Sequence, residues 1–387
     1  MIHGVGIIGC GNISTTYLSL VPLFRDIDVR ACADLNPDAA QAQASTFGID
    51  ALTPGDLLAR DDIDIVVNLT IPAAHRDVSE AALDAGKHVY SEKPFVLSVA
   101  DGAAILEKAA SKDLRVGSAP DTFLGGAHQL ARHIIDSGAV GQITSGTAAF
   151  QSHGMEAWHP NPDFFFQSGG GPVLDMGPYY ISNLVQLLGP VQSVQALSAT
   201  PQSSRIIGSG PRAGEAVPVD TPTTLHALLQ FHSGAVITLL ATWDVWRHEQ
   251  NHMELHGADG SLFLPDPNFF GGEVRMTRGP EPIDPPGWDH PLARPNFEGT
   301  RANYRAAGLA DMAQAIDTGR PHRCDGAFAH HVVDVMTGIL RAARSRTLVE
   351  MATTCPRPAP LDANAARSLL RQAPCSPETM VARPPTG

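Results

Sequence analysis

The sequence contains few of the features that mark a secreted or membrane protein. Its 387 residues include five scattered cysteines, and no stretch reaches the run of about 18 apolar residues that a membrane span needs. An odd number of unpaired cysteines is typical of reduced thiols rather than of a disulfide framework. The first residues, Ile2 to Ile8, have the composition of a structural strand and not of a signal peptide. We therefore predict a cytoplasmic protein with no membrane partner.

Positive charge is scarce as well. Lys and Arg number 27 against 40 Asp and Glu, so the formal net charge is −13. This balance argues against nucleic acid as the main partner, because binding to phosphates depends on a basic surface. It does not exclude a small substrate, since the charge of a local site can oppose the total.

The sequence also lacks a convincing set of metal ligands. It has 16 histidines, but His330 and His331 are adjacent and would project in different directions from a helix. No HxH or HxxxH set with supporting carboxylates stands out, and we predict no metal site.

What is present is a change of pattern along the chain. A chain of 387 residues exceeds what one core usually fills, so two domains are expected. Over the first 120 residues, short apolar runs alternate with helical stretches, which predicts a parallel sheet covered on both faces, an α/β Rossmann domain. Beyond about residue 122, strands follow each other across tight turns, which predicts an α+β domain with an antiparallel sheet. We predict domains over 1–121 and 122–355, and an extended or poorly ordered tail rich in Pro and Ala over 356–387.

A glycine loop lies where the first strand meets the first helix. Its sequence is Gly-Cys-Gly-Asn-Ile-Ser, and it begins at Gly9. Gly9 would make the tight turn, and Gly11 would let the backbone approach a pyrophosphate. Asn12 and Ile13 begin the helix, whose N-terminus supplies amide donors to phosphate. The loop predicts a dinucleotide-binding site.

Asp34 ends the second predicted strand, 20 residues after Ser14. A carboxylate at this point holds the ribose hydroxyls of NAD and repels the 2′-phosphate of NADP. Its neighbours Leu35 and Asn36 supply no cation for such a phosphate. We therefore predict NAD as the cofactor, with NADP disfavoured. An aspartate here can also cap the following helix.

Three stretches carry a family resemblance. They run from Asn68 to His75, from Ala85 to Pro94, and from Gly169 to Asp175. With Glu-Lys-Pro in the second and Gly-Gly-Gly followed by Asp in the third, the chain resembles the Gfo/Idh/MocA oxidoreductases over residues 2 to about 350. The resemblance implies a Rossmann domain, a C-terminal domain with a large open sheet that carries homodimer or homotetramer contacts, and substrates that are mostly sugars or inositols. It also implies cofactor contacts from the following residues: Thr70, Pro72, His75, Glu92, Lys93 and Pro94.

Lys93 is the first candidate catalytic residue. It follows a predicted strand and precedes Pro94, which puts it at the carboxyl edge of the sheet, where ligand crevices form in α/β proteins. Beside a cationic nicotinamide, like charge and partial desolvation can lower the pKa of a lysine amine. Lys93 would then help to polarise or deprotonate the reacting hydroxyl.

Asp175 and Tyr179 are the other two candidates. A helix predicted to run to Leu188 would put both on one face, with Asn183 one turn later. The resemblance implies that this face looks at the nicotinamide and that Asp175 binds or orients the substrate. Many relatives have His where this chain has Tyr179, so the chain is similar to a tyrosine-containing branch of the family. A phenol beside a lysine ammonium can accept the hydroxyl proton.

Two further features are open to more than one interpretation. Trp158 and His159 would either stack on and bond a sugar ring or belong to the core. The stretch from Ala119 to Phe123 stands where many relatives have an Arg-containing segment, so their substrates do not transfer directly to this chain.

Taken together, these patterns predict hydride transfer between NAD and a CH–OH group of a sugar or polyol. Two alternatives stay open. One is a glycoside-processing enzyme that uses tightly bound NAD for transient oxidation, and the other is a regulator that binds NAD and sugar without chemistry. The presence of Lys93, Asp175 and Tyr179 weighs against the regulator.

Overall fold

The N-terminal part of the chain forms a parallel sheet. The structure is a computed structural model and describes residues 1–371. The strands of this sheet are β1 His3–Ile8, β2 Ile27–Ala33, β3 Asp50–Leu52, β4 Ile65–Asn68, β5 His88–Ser91 and β6 Val116–Ser118. Their order across the sheet is β3-β2-β1-β4-β5-β6, with every pair parallel. Strands β2 and β3 extend the sheet to one side of β1, whereas β4, β5 and β6 extend it to the other side. The position between β1 and β4, where the strand order reverses, is the point where α/β sheets bind ligands.

Helices cover the parallel sheet, and their ends follow the local sequence. They are α1 Asn12–Leu20, α2 Pro37–Phe47, α3 Pro54–Leu58, α4 His75–Asp84 and α5 Val99–Ser111. In α2 the side chain of Asn36 accepts a hydrogen bond from the Asp38 amide, Pro37 opens the helix, and Gly48 ends it with φ 70°. Because helices lie on both faces, β1 and β4 are buried along their whole length.

The second sheet has nine strands and is mostly antiparallel. The remaining strands are β7 Ile143–Gln151, β8 Val191–Ala199, β9 Ser204–Ile206, β10 Ala216–Pro218, β11 Thr224–Phe231, β12 Val236–Thr242, β13 Met253–Gly257, β14 Ser261–Leu264, β15 Arg275–Arg278, β16 Glu281–Ile283 and β17 Val349–Glu350. The sheet order is β16-β15-β14-β13-β7-β12-β11-β8-β17, and β9 with β10 forms a separate hairpin. Only β7 and β12 run parallel, so the prediction of a large, mostly antiparallel sheet is confirmed.

Helices bury one face of the second sheet and leave the other open. They are α6 Gly126–Asp136, α7 Asp163–Phe166, α8 Pro172–Asp175, α9 Gly177–Leu188, α10 Ala307–Thr318, α11 Gly326–Ser345 and α12 Ala363–Leu369. Every residue of α9 is buried, and α11 packs on β8 while also contacting α5 and β6 of the first sheet. In β11 buried and exposed residues alternate, as expected for a strand with one covered face. Because α11 joins both sheets, the domain boundary near residue 121 stays a prediction.

The prediction of an extended or poorly ordered tail over 356–387 is wrong for its first part. Residues 363–369 form α12, and the amide of Arg25 donates to the Leu369 carbonyl over 3.0 Å. Leu369 is buried against the N-terminal domain, so apolar side chains hold this segment despite its Pro- and Ala-rich composition. Residues 372–387 lie outside the described part of the chain. None of the helices in residues 1–371 combines the length and apolar character needed to cross a bilayer.

Candidate active site

The register of the parallel sheet brings the ends of its strands to one edge. Ile8 pairs with Asn68, Asn68 with Ser91, and Ser91 with Ser118. The residues that follow these ends therefore line one crevice, and they include the glycine loop, Asp34, the Glu-Lys-Pro motif and Asp121.

The glycine loop has the backbone that its sequence predicts. Gly9 has φ 103°, and a Cβ placed on it would lie 2.6 Å from the carbonyl of Leu69. Any other residue there would be strained and would collide with the neighbouring loop. A Cβ on Gly11, by contrast, would meet nothing within 4 Å. Gly11 and Asn12 are exposed at the start of α1, so a ligand can approach the helix N-terminus there.

Asp34 joins the ends of β1 and β2. Its Oδ2 accepts a hydrogen bond from the Cys10 amide over 2.7 Å, and its Oδ1 accepts one from the Asn36 amide over 2.8 Å. The alternative interpretation of Asp34 as the cap of α2 is wrong, because Asn36 caps that helix. A carboxylate has about four acceptor positions, so two bonds leave room for ribose hydroxyls.

The side chain of His75 connects two loops at the edge of the parallel sheet by hydrogen bonds. It is completely buried; its Nδ1 lies 2.8 Å from the Pro94 carbonyl oxygen, and its Nε2 lies 3.0 Å from that of Thr70. Asn68, which sequence reasoning did not single out, supports the same loop by accepting a 2.6 Å hydrogen bond from the Thr70 hydroxyl. Pro72 is only partly buried on that loop. His75 therefore positions the loop, and Thr70 and Pro72 are the parts of it nearer to the surface.

Glu92 ties the Glu-Lys-Pro motif to the first helix. Its Oε1 accepts a hydrogen bond from the Tyr17 hydroxyl over 3.1 Å, and its Oε2 accepts one from the Lys93 amide over 2.9 Å. Burial, followed by the charge of Glu92, raises the pKa of Tyr17 well above its usual value. Tyr17 therefore stays protonated and donates to Glu92.

Lys93, Asp175 and Tyr179 come together as the sequence predicted. Lys93 Nζ donates to Asp175 Oδ1 over 2.7 Å and to the Asp175 carbonyl over 2.9 Å. The same Nζ lies 5.3 Å from the centre of the Tyr179 ring. Lys93 and Asp175 are each less than one-fifth exposed, so water screens this ion pair only weakly.

A lowered pKa of Lys93 is expected only beside a bound cationic nicotinamide, and that expectation stays a prediction. Burial lowers the pKa of the amine, but the nearby Asp175, Tyr179 and Glu92 outweigh burial and raise it above its usual value. Lys93 is therefore a firmly held ammonium, which donates hydrogen bonds and does not accept a proton.

The single helix predicted to end at Leu188 is in fact two helices. α8 ends at Asp175 and α9 begins at Gly177, so Asp175 and Tyr179 do not share one helix face. Across this break the Tyr179 amide donates to the Met176 carbonyl over 3.1 Å, which leaves the Asp175 carbonyl to Lys93. Asn183 is buried away from Lys93, and its amide nitrogen lies 3.0 Å from His128 Nδ1.

Arg305 is a site residue that the sequence did not reveal. Its Nη2 donates to Asn268 Oδ1 over 2.8 Å, and its Nη1 donates to Asn303 Oδ1 over 3.0 Å. Its Cζ lies 5.9 Å from the centre of the Tyr179 ring, so Tyr179 has both Lys93 and Arg305 as cationic neighbours. Arg305 lies in a segment with no motif, and only the fold brings it to this position.

Asp121 fixes the backbone next to Arg305. Its Oδ2 accepts hydrogen bonds from the amides of Ala306 over 3.0 Å and Gly308 over 2.9 Å. Burial is the largest cause that raises the pKa of Asp121 to about 6, and the Gly308 amide and the charge of Arg305 oppose it. The segment that differs from many relatives therefore anchors the start of α10 to the parallel sheet.

The structure does not bring Trp158 and His159 into contact with the catalytic candidates. Trp158 is 62% exposed, and His159 packs edge-on against Phe165 with ring centres 5.4 Å apart. Within residues 1–371, no hydrogen bond joins either residue to Lys93, Asp175 or Tyr179. Their link to the site is indirect, since the Gly171 amide just before α8 donates to the Phe165 carbonyl over 2.8 Å.

The described residues contain no group of three or more His, Cys, Asp and Glu side chains that could hold a metal ion. The two neighbouring histidines of α11 are used separately. His330 Nε2 lies 2.7 Å from the Val99 carbonyl oxygen, and His331 Nε2 accepts a hydrogen bond from the Val191 amide over 3.0 Å.

Comparisons with known proteins match both parts of the chain. Residues 3–119 match the model of the oxidoreductase family with an NAD-binding Rossmann fold, and residues 128–263 match the GFO/IDH/MocA C-terminal domain. A dTDP-3,4-didehydro-2,6-dideoxy-alpha-D-glucose 3-reductase of Streptomyces violaceoruber is 30% identical over 266 residues, which are 67% of this chain and 72% of that protein. The levoglucosan dehydrogenase of Pseudarthrobacter phenanthrenivorans is 29% identical over 287 residues, with 67% of this chain and 72% of that protein covered.

Solved structures show the same fold. A levoglucosan dehydrogenase in complex with NADH has a TM-score of 0.77 at 22% identity, and the match covers 91% of this chain and 100% of that one. An aldose-aldose oxidoreductase from Caulobacter crescentus has a TM-score of 0.74 at 22% identity, with 91% and 100% covered. With both family models matched in order and the glycine loop, Glu-Lys-Pro motif and second sheet in place, the chain belongs to the GFO/IDH/MocA family of oxidoreductases, and its first domain is an NAD-binding Rossmann domain.

Proposed function

We propose that this oxidoreductase transfers a hydride between NAD and a carbon that bears a hydroxyl group on a sugar or polyol. The observation that carries the proposal is the Lys93–Asp175 ion pair beside Tyr179 at the carboxyl edge of the Rossmann sheet. The names of the relatives support the substrate class, because they include a levoglucosan dehydrogenase, a deoxysugar 3-reductase and an inositol 2-dehydrogenase.

The cofactor end of the crevice fits NAD. Gly11 and Asn12 would hold the pyrophosphate at the exposed N-terminus of α1, and Asp34 would hold the adenosine ribose. Leu35 beside it is 93% exposed and uncharged, which favours NAD over NADP because neither Leu35 nor Asn36 supplies a cation for a 2′-phosphate. When bound, NAD supplies the nicotinamide carbon that accepts or returns the hydride.

At the substrate end, each residue has a separate task in the proposal. The Lys93 ammonium would donate a hydrogen bond to the reacting oxygen, and Asp175 would hold Lys93 in place. Because the pKa of Lys93 is raised, the proton of the hydroxyl would go to the Tyr179 phenol oxygen once that oxygen is deprotonated. Tyr179 is buried and has Lys93 and Arg305 as cationic neighbours.

A substrate panel tests the proposal. Pyranoses, inositols and glycosides would be incubated with NAD or NADP, and the absorbance of the reduced cofactor would be followed. We expect reduction of NAD with at least one hydroxyl substrate. A cofactor that stays bound through purification and turns over without net reduction would favour the glycoside-processing alternative. If the protein binds NAD and sugar but converts none of the substrates, the regulator alternative would be favoured.

We also propose that the open face of the second sheet binds a second copy of the chain, which gives a homodimer or homotetramer. Leu197 on β8 is 64% exposed and Leu228 on β11 is 46% exposed, and both line a shallow hollow of about 320 Å³. Apolar patches of this kind are typical of association sites. Leu197→Glu should lower the mass measured by light scattering, whereas Ile206→Glu on the separate β9–β10 hairpin should not. An unchanged mass for the Leu197 variant would contradict this interface.

For the location of the protein we propose the cytoplasm. NAD-dependent metabolism and the free thiols of Cys10, Cys32, Cys324 and Cys355 both fit a reducing compartment. Cell fractionation with antibody detection would test it, and recovery of the protein outside the cytoplasm would contradict it.

A further inference from the structure

Arg305 carries a positive charge that no carboxylate balances by direct contact. Within residues 1–371 it forms no ion pair, and its hydrogen-bond partners are the side chains of Asn268, Asn303 and Tyr179 and the Asn268 carbonyl. Arg205, which is buried, has Glu156 at 3.0 Å and contacts Asp244 as well. A partly buried guanidinium with no carboxylate at contact distance keeps its charge available for a ligand.

The carboxylates nearest to Arg305 are engaged by other groups. Asp175 is paired with Lys93, and Glu92 accepts from Tyr17 and from the Lys93 amide. Asp121 accepts from two backbone amides at the start of α10. None of these three carboxylates contacts the Arg305 guanidinium directly, so within residues 1–371 the guanidinium has no ion-pair partner.

The position of Arg305 is built into the fold. The next residue, Ala306, has φ 88°, a conformation that an L residue with a side chain rarely adopts. Asp121 holds the amide of Ala306 in that conformation, and Asn268 holds the guanidinium from the other side. A surface arginine would need neither support, so the arrangement is typical of a binding residue.

We propose that the substrate carries an anionic oxygen group, a carboxylate or a phosphate, close to its reacting hydroxyl, and that Arg305 binds this group. The inference rests on the proposed function and names its substrate class more closely. Lys93 Nζ and Arg305 Cζ lie 5.3 and 5.9 Å from the same Tyr179 ring centre, so a substrate bound beside Tyr179 lies close to both cations. The planar fork of arginine matches both oxygen groups, and its present hydrogen bonds use at most four of its five N–H donors.

Matched substrates and variants test this inference. A neutral hexose, the corresponding uronate and aldonate, and the 6-phosphate would be compared with NAD on the natural enzyme, Arg305→Gln and Arg305→Lys. We expect kcat/KM to be about 100-fold higher for the preferred anion than for the neutral sugar. Arg305→Gln should remove most of that preference by raising KM for the anion. Arg305→Lys should restore only part of it, because lysine keeps the charge but not the fork. The carboxylate and phosphate arms identify which oxygen group is used.

Arg301→Gln is the control. Arg301 lies four residues away, pairs with Glu298 over 3.0 Å and stacks on Phe269, so its loss changes the net charge equally without changing the site. We expect the substrate preference of this variant to match that of the natural enzyme. Thermal unfolding of all variants would show that each is folded.

Direct binding separates a failure of this inference from a failure of the proposed function. Quenching of bound NADH fluorescence by the aldonate and the sugar phosphate would be measured for the natural enzyme and Arg305→Gln. If neutral sugars are turned over as fast as anionic ones, and if anion binding does not depend on Arg305, the inference is overturned and the proposed function is left intact. If anions bind in a way that depends on Arg305 but no hydroxyl substrate is turned over, the proposed function fails and the anion-binding role of Arg305 stands. Equal losses of kcat for neutral and anionic substrates would mean that Arg305 acts only on Tyr179, which also overturns the inference.

Discussion

The two ends of the crevice are built in different ways. The cofactor end uses short segments that follow strands of one parallel sheet: the glycine loop after β1, Asp34 after β2, the loop from Thr70 to His75 after β4, and the Glu-Lys-Pro motif after β5. The substrate end is assembled from separated places in the chain, with Lys93 from β5, Asp175 and Tyr179 from the α8–α9 junction, and Arg305 from the segment before α10.

This difference shows what a local motif can and cannot encode. The glycine loop works through its own backbone, so its chemistry is visible in six consecutive residues. Arg305 works only because Asp121 and Asn268 hold its surroundings in place. The cofactor end should therefore tolerate changes elsewhere in the chain, whereas the substrate end should depend on contacts between distant segments.

Loss of Lys93 should have the largest effect and should separate the two ends. We expect Lys93→Met to lower turnover by about 10⁴-fold, because the charge that stabilises the reacting oxygen and the phenolate is removed. Stopped-flow turnover and NADH titration would be measured together, and NADH affinity should stay within a few-fold. Lys87→Met is the control, because Lys87 precedes the same strand at its opposite end and donates to the Arg60 carbonyl. Near-normal turnover of the Lys93 variant would remove this residue from the mechanism.

Removal of the Tyr179 hydroxyl should have the next largest effect. Tyr179→Phe keeps the buried ring but removes the proposed proton acceptor, and we expect turnover to fall by about 10³-fold. The group responsible for the pH dependence of kcat should also disappear from the pH–rate profile. The control is Tyr180→Phe, which removes a hydroxyl that lies 3.0 Å from His252 Nδ1. A loss below tenfold with an unchanged pH profile would assign Tyr179 to substrate binding only.

Asp121, which connects the parallel sheet to the start of α10, should make the stability of the protein depend on pH. Its pKa is raised from 3.8 to about 6, with burial as the main cause. A raised carboxyl pKa means that its contribution to stability is present below about pH 4 and is lost as the pH rises through about 6. The lost contribution amounts to about 3 kcal/mol.

The variant Asp121→Asn isolates this contribution. Both observed bonds go to one oxygen, so an amide oxygen can replace it without a buried charge. Relative to the variant, the natural protein should lose about 3 kcal/mol of unfolding free energy between pH 4 and pH 7. Denaturant unfolding across this range would measure it, and a difference that does not change with pH would contradict the assignment.

The smallest expected effect lies entirely at the cofactor end. NADH should bind at least about tenfold more tightly than NADPH, which corresponds to about 1.4 kcal/mol. Asp34→Ser should abolish this preference, whereas Asp38→Ser, which removes an exposed carboxylate from the first turn of α2, should keep it. Isothermal titration would measure both, and equal affinities in the natural protein would refute the role of Asp34.

Much of the fold follows from the sequence, because its signals are local. Continuous apolar runs such as Ile65–Asn68 have no alternation, which indicates a strand buried on both faces. The pair β11 and β12 shows the opposite pattern around a short turn, and it forms the predicted antiparallel hairpin. The prediction of one helix across Met176 is wrong although the sequence has a local signal for the break, because Pro178 would be an interior proline in a single helix and is a first-turn proline in α9.

The site residues that belong to local sequence motifs could be predicted, whereas those placed by contacts between distant segments could not. Lys93, Asp175 and Tyr179 carry motifs, and the structure brings them together. Arg305 carries no motif, and its role depends on tertiary contacts that no spacing encodes. The direction of the pKa shift of Lys93 could not be predicted from the sequence, because it depends on whether Asp175 or burial has the larger effect.

The break between α8 and α9 has a consequence for motion. It leaves the Asp175 carbonyl free to accept from Lys93, and the carboxylate of the same residue holds the same ammonium. Because Lys93 belongs to the Rossmann sheet and Asp175 to the helices of the second sheet, these two bonds also fasten one half of the protein to the other. A shift of α8 relative to the parallel sheet would lengthen both bonds, so the position of the Lys93 ammonium depends on how the two parts of the protein pack.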